Sequence, residues 1–327
     1  MSSVILDNLT KEYVLKAGFF KQLTGKAGIV SAVNHVNFEM QAGEIVGLVG
    51  ESGCGKTTLG KMLVKIEEIT DGKIEIDGVD VTSIRKRSDM VDFRKKVQMI
   101  FQDPYDSLNP KMTLRDIIAE PLKSLGLLQS SKEIEDKVVE MLKLVELTPT
   151  ELYIDRYPHQ LSGGQRQRVA IARALVVEPE FIVADEPVSM LDVSLRAGVL
   201  NLLHKLNREK GIGVLLITHD LATARFLCNR IVVMYLGKFV EITDPQTMVD
   251  DPAHPYTKLL ISSAPDLFAD TSNRIKVEGE AASAVAPPKG CRFCPRCPHA
   301  MDICSQEEPA LVECGPGHFA ACHLLNR

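Results

Sequence analysis

The 327-residue sequence lacks any apolar run long enough to cross a lipid bilayer. Runs such as FIVA (181–184) and VLLI (214–217) are far shorter than the ~18 residues that a membrane helix needs. The opening stretch MSSVILDNLTKEY also lacks a basic segment followed by an apolar core and a small-residue cleavage site. We therefore expect a protein that does not cross a membrane and that stays in the cytoplasm.

The sequence also lacks a long block of basic residues. Its 38 lysines and arginines stand against 43 acidic residues, so the net charge is −5 and is spread along the chain. Proteins that bind nucleic acid usually carry a basic patch or stripe. We therefore predict no nucleic-acid partner. The length favours one large domain with an appendage.

Cysteine is scarce until residue 290 and abundant after it. Six of the eight cysteines lie beyond that point. In a reducing compartment such residues seldom form a disulfide framework, and a local cluster of them indicates metal binding.

Apolar patterning predicts a chain that alternates buried strands with helices. DGKIEIDG (71–78) alternates apolar and polar residues between turn signals, which predicts a half-buried antiparallel strand. A proline-rich linker is expected near AASAVAPPKG (281–290). The other predictions are buried strands at GEIVGLVG (43–50), FIVADE (181–186) and GVLLITHD (213–220), helices in 56–66, 112–147 and 166–177, and a hairpin at 231–242.

GESGCGKT (Gly50–Thr57) matches the phosphate-loop pattern, with a strand before it and a helix after it. The glycines allow the backbone to curl so that its N–H groups point at phosphate oxygens, and the helix N-terminus adds a positive dipole. Lys56 is expected to reach the β and γ phosphates, and the Thr57 hydroxyl to bind Mg²⁺. The full predicted contact set is Gly50, Glu51, Ser52, Gly53, Cys54, Gly55, Lys56, Thr57 and Thr58.

Two acidic residues, Asp185 and Glu186, end the apolar strand at 181–184. An aspartate at this position can hold Mg²⁺, and the glutamate beside it can polarise the attacking water. We predict that Glu186 is the general base.

LSGGQRQRVAIARAL (161–175) resembles the signature of the ATP-binding subunits of ABC transporters. The resemblance implies an α/β fold: a P-loop ABC ATPase with a RecA-like core, an antiparallel β subdomain and a helical subdomain at about 103–174. It also implies roles for single residues. Gln102 in IFQDP would contact Mg²⁺ and the water, and His219 in LLITHD the γ-phosphate. SMLD (189–192) would lie between two ATP sites through Asp192, although Met190 stands where the family usually has alanine.

The same resemblance implies that two chains enclose two ATP molecules. Each signature, Ser162, Gly163, Gly164 and Gln165, would contact the ATP held by the other copy. The second copy is either identical or a similar subunit. Tyr13 is the candidate for stacking on adenine, with Phe19 and Phe20 as competitors because the segment 14–30 reads as an insertion.

FQDPYDSLNPKMTLRDIIAEPL (101–122) and DPAHPYTKLLISSAP (251–265), followed by the cysteines, resemble the ATPases of oligopeptide and dipeptide importers. The implied partners are two membrane permeases, a second ATPase and, through the permeases, an extracellular binding protein. The implied location is the cytoplasmic face of the membrane. An oligosaccharide or nickel importer is the alternative, and a soluble ABC ATPase acting on nucleic acid or ribosomes a remote one.

We predict an ATPase domain at 1–245 and a C-terminal extension at 246–327 with a cysteine cluster at 291–322. In the peptide-importer ATPases the tail pattern selects Cys291, Cys297, Cys304 and Cys322, and leaves Cys294 and Cys314 as extras. Four thiolates suit a [4Fe–4S] cluster or tetrahedral Zn²⁺. Reduced thiols without metal are the third possibility. Cys54 and Cys228 are expected to be small packing residues.

Overall fold

The structure is a computed structural model that describes residues 3–14, 28–263, 285 and 287–326. Within these ranges no helix combines the length and the apolar character needed to traverse a membrane. The helices and strands, in chain order, are β1 (Val4–Val14), β2 (Ile29–Met40), β3 (Ile45–Val49), α1 (Lys56–Leu63), β4 (Asp71–Ile76), β5 (Val79–Asp80), α2 (Arg87–Lys96), β6 (Val97–Ile100), α3 (Pro104–Ser107), α4 (Leu114–Ser124), α5 (Ser131–Leu144), α6 (Gly163–Leu175), β7 (Phe181–Asp185), α7 (Val193–Lys210), β8 (Gly213–Thr218), α8 (Leu221–Leu227), β9 (Arg230–Tyr235), β10 (Lys238–Thr243), α9 (Pro245–Asp250), α10 (Pro255–Ser263), α11 (Asp302–Gln306), β11 (Val312–Gly315) and β12 (His318–Ala320).

The chain divides into two compact units. The first comprises Met1–Ser3, Gln41–Glu44 and Ser83–Leu215, and the second comprises Val4–Met40, Ile45–Thr82 and Leu216–Arg327. Strand β8 begins in the first unit and ends in the second.

The first unit contains parallel strands and most of the longer helices. Its strand order is β8-β7-β6, and β6 runs parallel to β7 with Ile100 opposite Ala184. Every residue of β7 is buried, as expected for a strand that is covered on both faces. Helix α4 is capped by Thr113, whose hydroxyl accepts the N–H of Asp116. This cap satisfies a backbone donor that the first helical turn would otherwise leave unpaired.

The second unit contains two sheets. Strands β2-β1-β4-β5 form an antiparallel sheet, and β11-β12-β10-β9-β3 follow one another in the other. Strand β3 is entirely buried and runs parallel to β9. The glycine-rich loop begins at the residue after its carboxyl end. The elements predicted from apolar periodicity are therefore present, including the antiparallel strand β4 and the β9–β10 hairpin.

The C-terminal segment is attached to the second unit by backbone pairing and by one buried carboxylate. Strand β12 pairs with β10, placing Ala320 opposite Glu241. Glu241 is fully buried and accepts the N–H groups of Ala253 and His254, both at 2.8 Å. Its Oε1 also lies 2.7 Å from Nε2 of His318. A buried carboxylate with three partners joins the segment after β10 to the final hairpin.

Candidate functional site

The loop between β3 and α1 has the backbone geometry of an anion cradle. Gly50 and Gly55 both have positive φ, at 155° and 111°. A Cβ atom at Gly50 would lie 2.2 Å from the carbonyl oxygen of Met234, and one at Gly55 would lie 2.0 Å from that of Ala32. Only glycine is compatible with both positions, because a side chain would displace neighbouring main chain. Ser52 and Gly53 are exposed at the tip of the loop.

Lys56 points back into this loop. Its side chain is buried, and Nζ donates to the carbonyl oxygens of Gly50 at 2.7 Å and Glu51 at 2.9 Å. Thr57 and Thr58 follow in the first turn of α1 and are half-buried. A buried ammonium beside the first N–H groups of a helix gives the loop a concentrated positive potential, which suits a phosphate.

The two cysteines outside the tail act as packing residues. Burial raises the pKa of Cys54, although the neighbouring Lys56 opposes the shift. Burial also raises the pKa of Cys228. The Sγ of Cys228 occupies the space beside Gly47, where a Cβ atom would lie only 2.9 Å away. Thiols of raised pKa are poor nucleophiles at neutral pH, so neither is a candidate for catalysis.

Gln102 and Glu186, 84 residues apart, meet beyond the carboxyl ends of adjacent parallel strands. Gln102 follows β6, Glu186 follows β7, and Nε2 of Gln102 donates to Oε2 of Glu186 at 3.0 Å. Asp185, immediately before Glu186, is 3% exposed. Glu186 has a positive φ of 45°, an uncommon conformation for a residue with a side chain and one often found at functional sites. The structure thus brings together an amide and a carboxylate of the predicted hydrolytic set.

The LSGGQ segment forms the start of α6. Ser162 caps the helix: its hydroxyl accepts the N–H of Gln165, and the Gln165 side chain accepts the N–H of Ser162. The Ser162 side chain is exposed, whereas Gly164 is buried against Leu195. This reciprocal cap fixes the first turn and leaves a serine and a helix N-terminus at the surface.

Two further predicted residues, Asp192 and His219, lie at the ends of elements. Asp192 caps α7 by accepting the N–H of Leu195 at 3.0 Å. Met190, two residues earlier, is 61% exposed. His219 follows β8 and is exposed, and it belongs to the second unit, as the phosphate loop does. Gln102, Ser162, Asp185, Glu186 and Asp192 all belong to the first unit.

Tyr13 lies in β1, opposite Val30 of β2. It is half-buried, and Nζ of Lys11 lies 4.7 Å from the centre of its ring. Tyr13 therefore stays a candidate for stacking on adenine, as the sequence predicts. Phe19 and Phe20, the competing candidates, lie outside the described residues.

The four tail cysteines selected from the sequence lie on neighbouring segments. The N–H of Cys291 donates to the carbonyl oxygen of Cys304 at 2.8 Å. Burial raises the pKa of Cys291 to about 11, and Cys297 and Cys304 act on the same thiol electrostatically. The pKa of Cys297 is also raised, first by burial and then by the charges of Cys322 and other cysteines.

Cys314 stands apart from these four. Its thiol is exposed and donates to the carbonyl oxygen of His318 at 3.4 Å, so it is directed into its own hairpin. Among the residues that the structure describes, no group of three or more histidine, cysteine, aspartate or glutamate side chains is arranged to hold a metal ion. The metal centre in the tail therefore remains a prediction from the sequence.

Sequence reasoning missed two residues that contact the phosphate loop. The hydroxyl of Tyr256 accepts the N–H of Glu51, 205 positions away in the chain, at 2.8 Å. Arg296, 245 positions from Glu51, forms two hydrogen bonds to the Glu51 carboxylate. The sequence carries no local signal for either contact, because both arise only when the C-terminal segment packs on the second unit.

These features define a class of protein. A glycine-rich loop joins a buried parallel strand to a helix, a buried lysine points into that loop, and two acidic residues follow another parallel strand. This combination characterises P-loop nucleotide hydrolases.

Comparison with known proteins narrows the class. Residues 33–189 match the family described as ABC transporter, and residues 240–304 match the oligopeptide/dipeptide transporter C-terminal region. The chain is 49% identical over 92% of its length to the putative oligopeptide transport ATP-binding protein YkfD of Bacillus subtilis, of which 91% is covered. It is 44% identical over 98% of its length to the oligopeptide transport ATP-binding protein AppF of the same organism, of which 97% is covered. The chain belongs to the ATP-binding proteins of ABC transporters.

Solved structures agree with this assignment. The dimeric ATP-binding cassette MJ0796 in a post-hydrolysis state with ADP and Pi is similar over 74% of this chain and 98% of its own, with a TM-score of 0.65 and 32% identity. The cassette cbiO1 of Clostridium perfringens, part of the ABC transporter complex cbiONQ, is similar over 76% of this chain and 91% of its own, with a TM-score of 0.62 and 25% identity. The protein is thus an ABC-family ATPase whose hydrolysis is coupled to transport.

Proposed function

We propose that this chain is the ATP-hydrolysing subunit of an importer for di- and oligopeptides. The hydrogen bond between Gln102 and Glu186 at the ends of two parallel strands is the observation that carries the hydrolytic part. The match of residues 240–304 to the oligopeptide/dipeptide transporter region, and the names of the two Bacillus subtilis relatives, support the cargo. Oligosaccharide and nickel import are the alternative cargoes for the same ATPase.

In this proposal the phosphate loop binds ATP. The N–H groups at the start of α1 and the Lys56 ammonium stabilise phosphate charge, and Lys56 exchanges its bonds to the loop carbonyls for bonds to phosphate. Thr57, Gln102 and Asp185 would hold Mg²⁺ through oxygen ligands, and the ion would neutralise charge on the transferred phosphoryl group. Oxygen-donating side chains of this kind are the ligands that Mg²⁺ prefers.

Glu186 is proposed as the base that polarises the attacking water, and His219 as the residue that contacts the γ-phosphate. The hydrogen bond from Gln102 holds Oε2 of the Glu186 carboxylate at the ends of the two strands. Ser162, Gly163, Gly164 and Gln165 would contact the ATP of a second ATPase subunit, identical or homologous, and Asp192 would lie near that junction. Tyr13 is the candidate for stacking on the adenine.

Replacement of Glu186 tests the hydrolytic role. Glu186→Gln keeps the side-chain shape and removes its basicity, so we expect ATP turnover to fall by roughly 100-fold or more, with ATP-bound dimers accumulating. Glu180→Gln is the matched control, because Glu180 lies before the same strand and pairs with Lys96 at 3.4 Å. Undiminished turnover in Glu186→Gln refutes the assignment.

The proposed partners are two permeases, a second ATPase subunit and an extracellular binding protein, with this chain on the cytoplasmic face of the membrane. The segment around Tyr105 is proposed to contact a permease. Tyr105 is 60% exposed and presents its ring to Arg166, whose guanidinium carbon lies 3.9 Å from the ring centre.

Uptake of labelled di- and tripeptides, of nickel and of oligosaccharides by cells with either wild-type or Glu186→Gln protein identifies the cargo. Loss of nickel or oligosaccharide uptake alone refutes the peptide assignment.

For the tail we propose metal binding by Cys291, Cys297, Cys304 and Cys322, as a [4Fe–4S] cluster or alternatively as Zn²⁺. Two observations support this proposal. The four cysteines lie on adjacent segments, and they are close enough for one thiol to affect the pKa of another electrostatically. Metal binding would contribute folding free energy to a segment with few apolar residues. Iron, acid-labile sulfide and zinc are to be measured per chain after anaerobic purification, and absence of all three refutes the proposal.

A further inference from the structure

Glu51 places an acidic side chain in the loop that binds an anion. It is the residue after Gly50, and about a third of its side chain is exposed. Between charges in partly buried surroundings, repulsion is far stronger than in water. An unpaired carboxylate at this position would therefore oppose the binding of ATP phosphates.

Arg296 compensates that charge. Nη1 of Arg296 lies 2.8 Å from Oε2 of Glu51, and Nη2 lies 2.9 Å from Oε1. This is the bidentate geometry that makes arginine–carboxylate pairs strong and directional. The Arg296 side chain is only 10% exposed, so solvent weakens the pair less than it weakens an ordinary surface salt bridge.

The arginine is itself held in place by buried rings. Its guanidinium lies 5.9 Å from the ring centre of Tyr235 and 5.8 Å from that of Phe293. Those two rings and Tyr256 pack against one another with centres 4.6 to 5.4 Å apart. All three are almost completely buried. Because β9, α10 and the cysteine tail each contribute one ring, the position of Arg296 depends on the packing of the tail.

Glu51 is thus fixed through three different groups. Tyr256 accepts its N–H, Arg296 binds its carboxylate, and Lys56 donates to its carbonyl oxygen. Lys56 is the member of this set that the proposed function assigns to the phosphates. When Lys56 turns from the Glu51 carbonyl oxygen to a phosphate, Tyr256 and Arg296 can keep their contacts with Glu51.

We propose that Arg296 is a positioning residue for the ATP site: by pairing with Glu51 it neutralises the acidic charge in the phosphate loop and holds that loop, which makes the cysteine tail a structural part of the nucleotide site. This inference rests on the proposed function only in that the 50–57 loop binds ATP.

The test is direct binding of MgATP to the full chain, measured by titration calorimetry. Arg296→Gln leaves the Glu51 carboxylate without its guanidinium partner, and we expect ATP affinity to fall about tenfold, because an uncompensated carboxylate repels the phosphates strongly in partly buried surroundings. Glu51→Gln removes the acidic charge while its amide oxygen still accepts from Arg296, so the loop becomes more positive and this variant is expected to bind ATP more tightly than wild type. The double variant Arg296→Gln, Glu51→Gln recovers to within about threefold of wild type, because the repulsion is gone.

Two readouts separate charge compensation from a general role in folding the tail. The Arg296→Gln defect is larger at low salt, since screening weakens the uncompensated repulsion. Arg292→Gln is the matched control: Arg292 is also a buried arginine of the tail, but it donates to the carbonyl oxygen of Leu236 and does not contact Glu51. It is expected to bind ATP within about twofold of wild type.

Wild-type affinity in Arg296→Gln overturns the proposal. So does an equal loss in Arg292→Gln with no recovery in the double variant, because that result assigns the effect to tail folding. A wild-type protein that binds no ATP refutes the assignment of the phosphate loop, and this inference with it, whereas intact binding in Arg296→Gln refutes the inference alone.

Discussion

The buried His254 predicts that part of the stability of the C-terminal segment is lost under mildly acidic conditions. His254 is 1% exposed, and its Nδ1 accepts the N–H of Tyr256 at 3.0 Å. The backbone N–H of His254 donates to the carboxylate of Glu241. Burial lowers the pKa of the His254 ring from 6.5 to about 3. The ring is therefore neutral in the folded protein over the whole physiological range.

The sign of the effect follows from proton linkage. Between pH 6.5 and 3 the unfolded chain binds a proton at His254 and the folded chain does not, so unfolding is favoured as the pH falls. The contribution is complete above pH 6.5 and is lost progressively below it. From pH 7.5 to pH 5.0 the loss covers about 1.5 pH units, which at 1.36 kcal/mol per unit is about 2 kcal/mol.

His254→Asn supplies the matched comparison. Asparagine can accept the same N–H at the start of α10, where it is a favoured capping residue, but it does not titrate. The other ionisable groups are common to both proteins. Urea unfolding followed by circular dichroism at pH 7.5 and pH 5.0 should show wild type losing about 2 kcal/mol more than His254→Asn. Equal losses in the two proteins would contradict the reasoning.

Three further predictions concern packing, the loop and the tail. Phe293→Ala removes a ring that is 1% exposed and packs against two buried tyrosines, so we expect about 3–5 kcal/mol less stability in urea unfolding; a loss below about 1 kcal/mol would show that the ring is not part of the core. Gly50→Ala brings a Cβ to 2.2 Å from a main-chain carbonyl and should abolish ATP binding in calorimetry, whereas Gly315→Ala, which lies outside the loop and whose Cβ would meet only the Cβ of His318 at 3.6 Å, should retain it. Cys291→Ser should lose the bound metal in elemental analysis and Cys314→Ser should keep it, and the reverse result would reassign the ligands.

Much of the fold was predictable because its signals are local. Continuous apolar runs predicted buried strands such as β3 and β7, and the alternation in DGKIEIDG predicted an antiparallel strand. The phosphate loop was predictable for the same reason, since its glycines, lysine and threonine are consecutive. Gln102 and Glu186 are 84 residues apart, and the sequence did not predict the hydrogen bond between them; resemblance to a family implied only that Gln102 contacts Mg²⁺ and the water. The structure brings these two together, while their catalytic roles remain predictions.

The sequence by itself determined the class of protein, because phosphate binding depends on a short loop whose conformation its own residues dictate. Only the tertiary structure showed that the tail reaches this loop. The contacts of Arg296 and Tyr256 with Glu51 join residues more than 200 positions apart, and no local propensity encodes such a pairing. It arises because β12 pairs with β10 and Phe293 packs against Tyr235, which places a distant guanidinium beside the one acidic side chain of the phosphate loop.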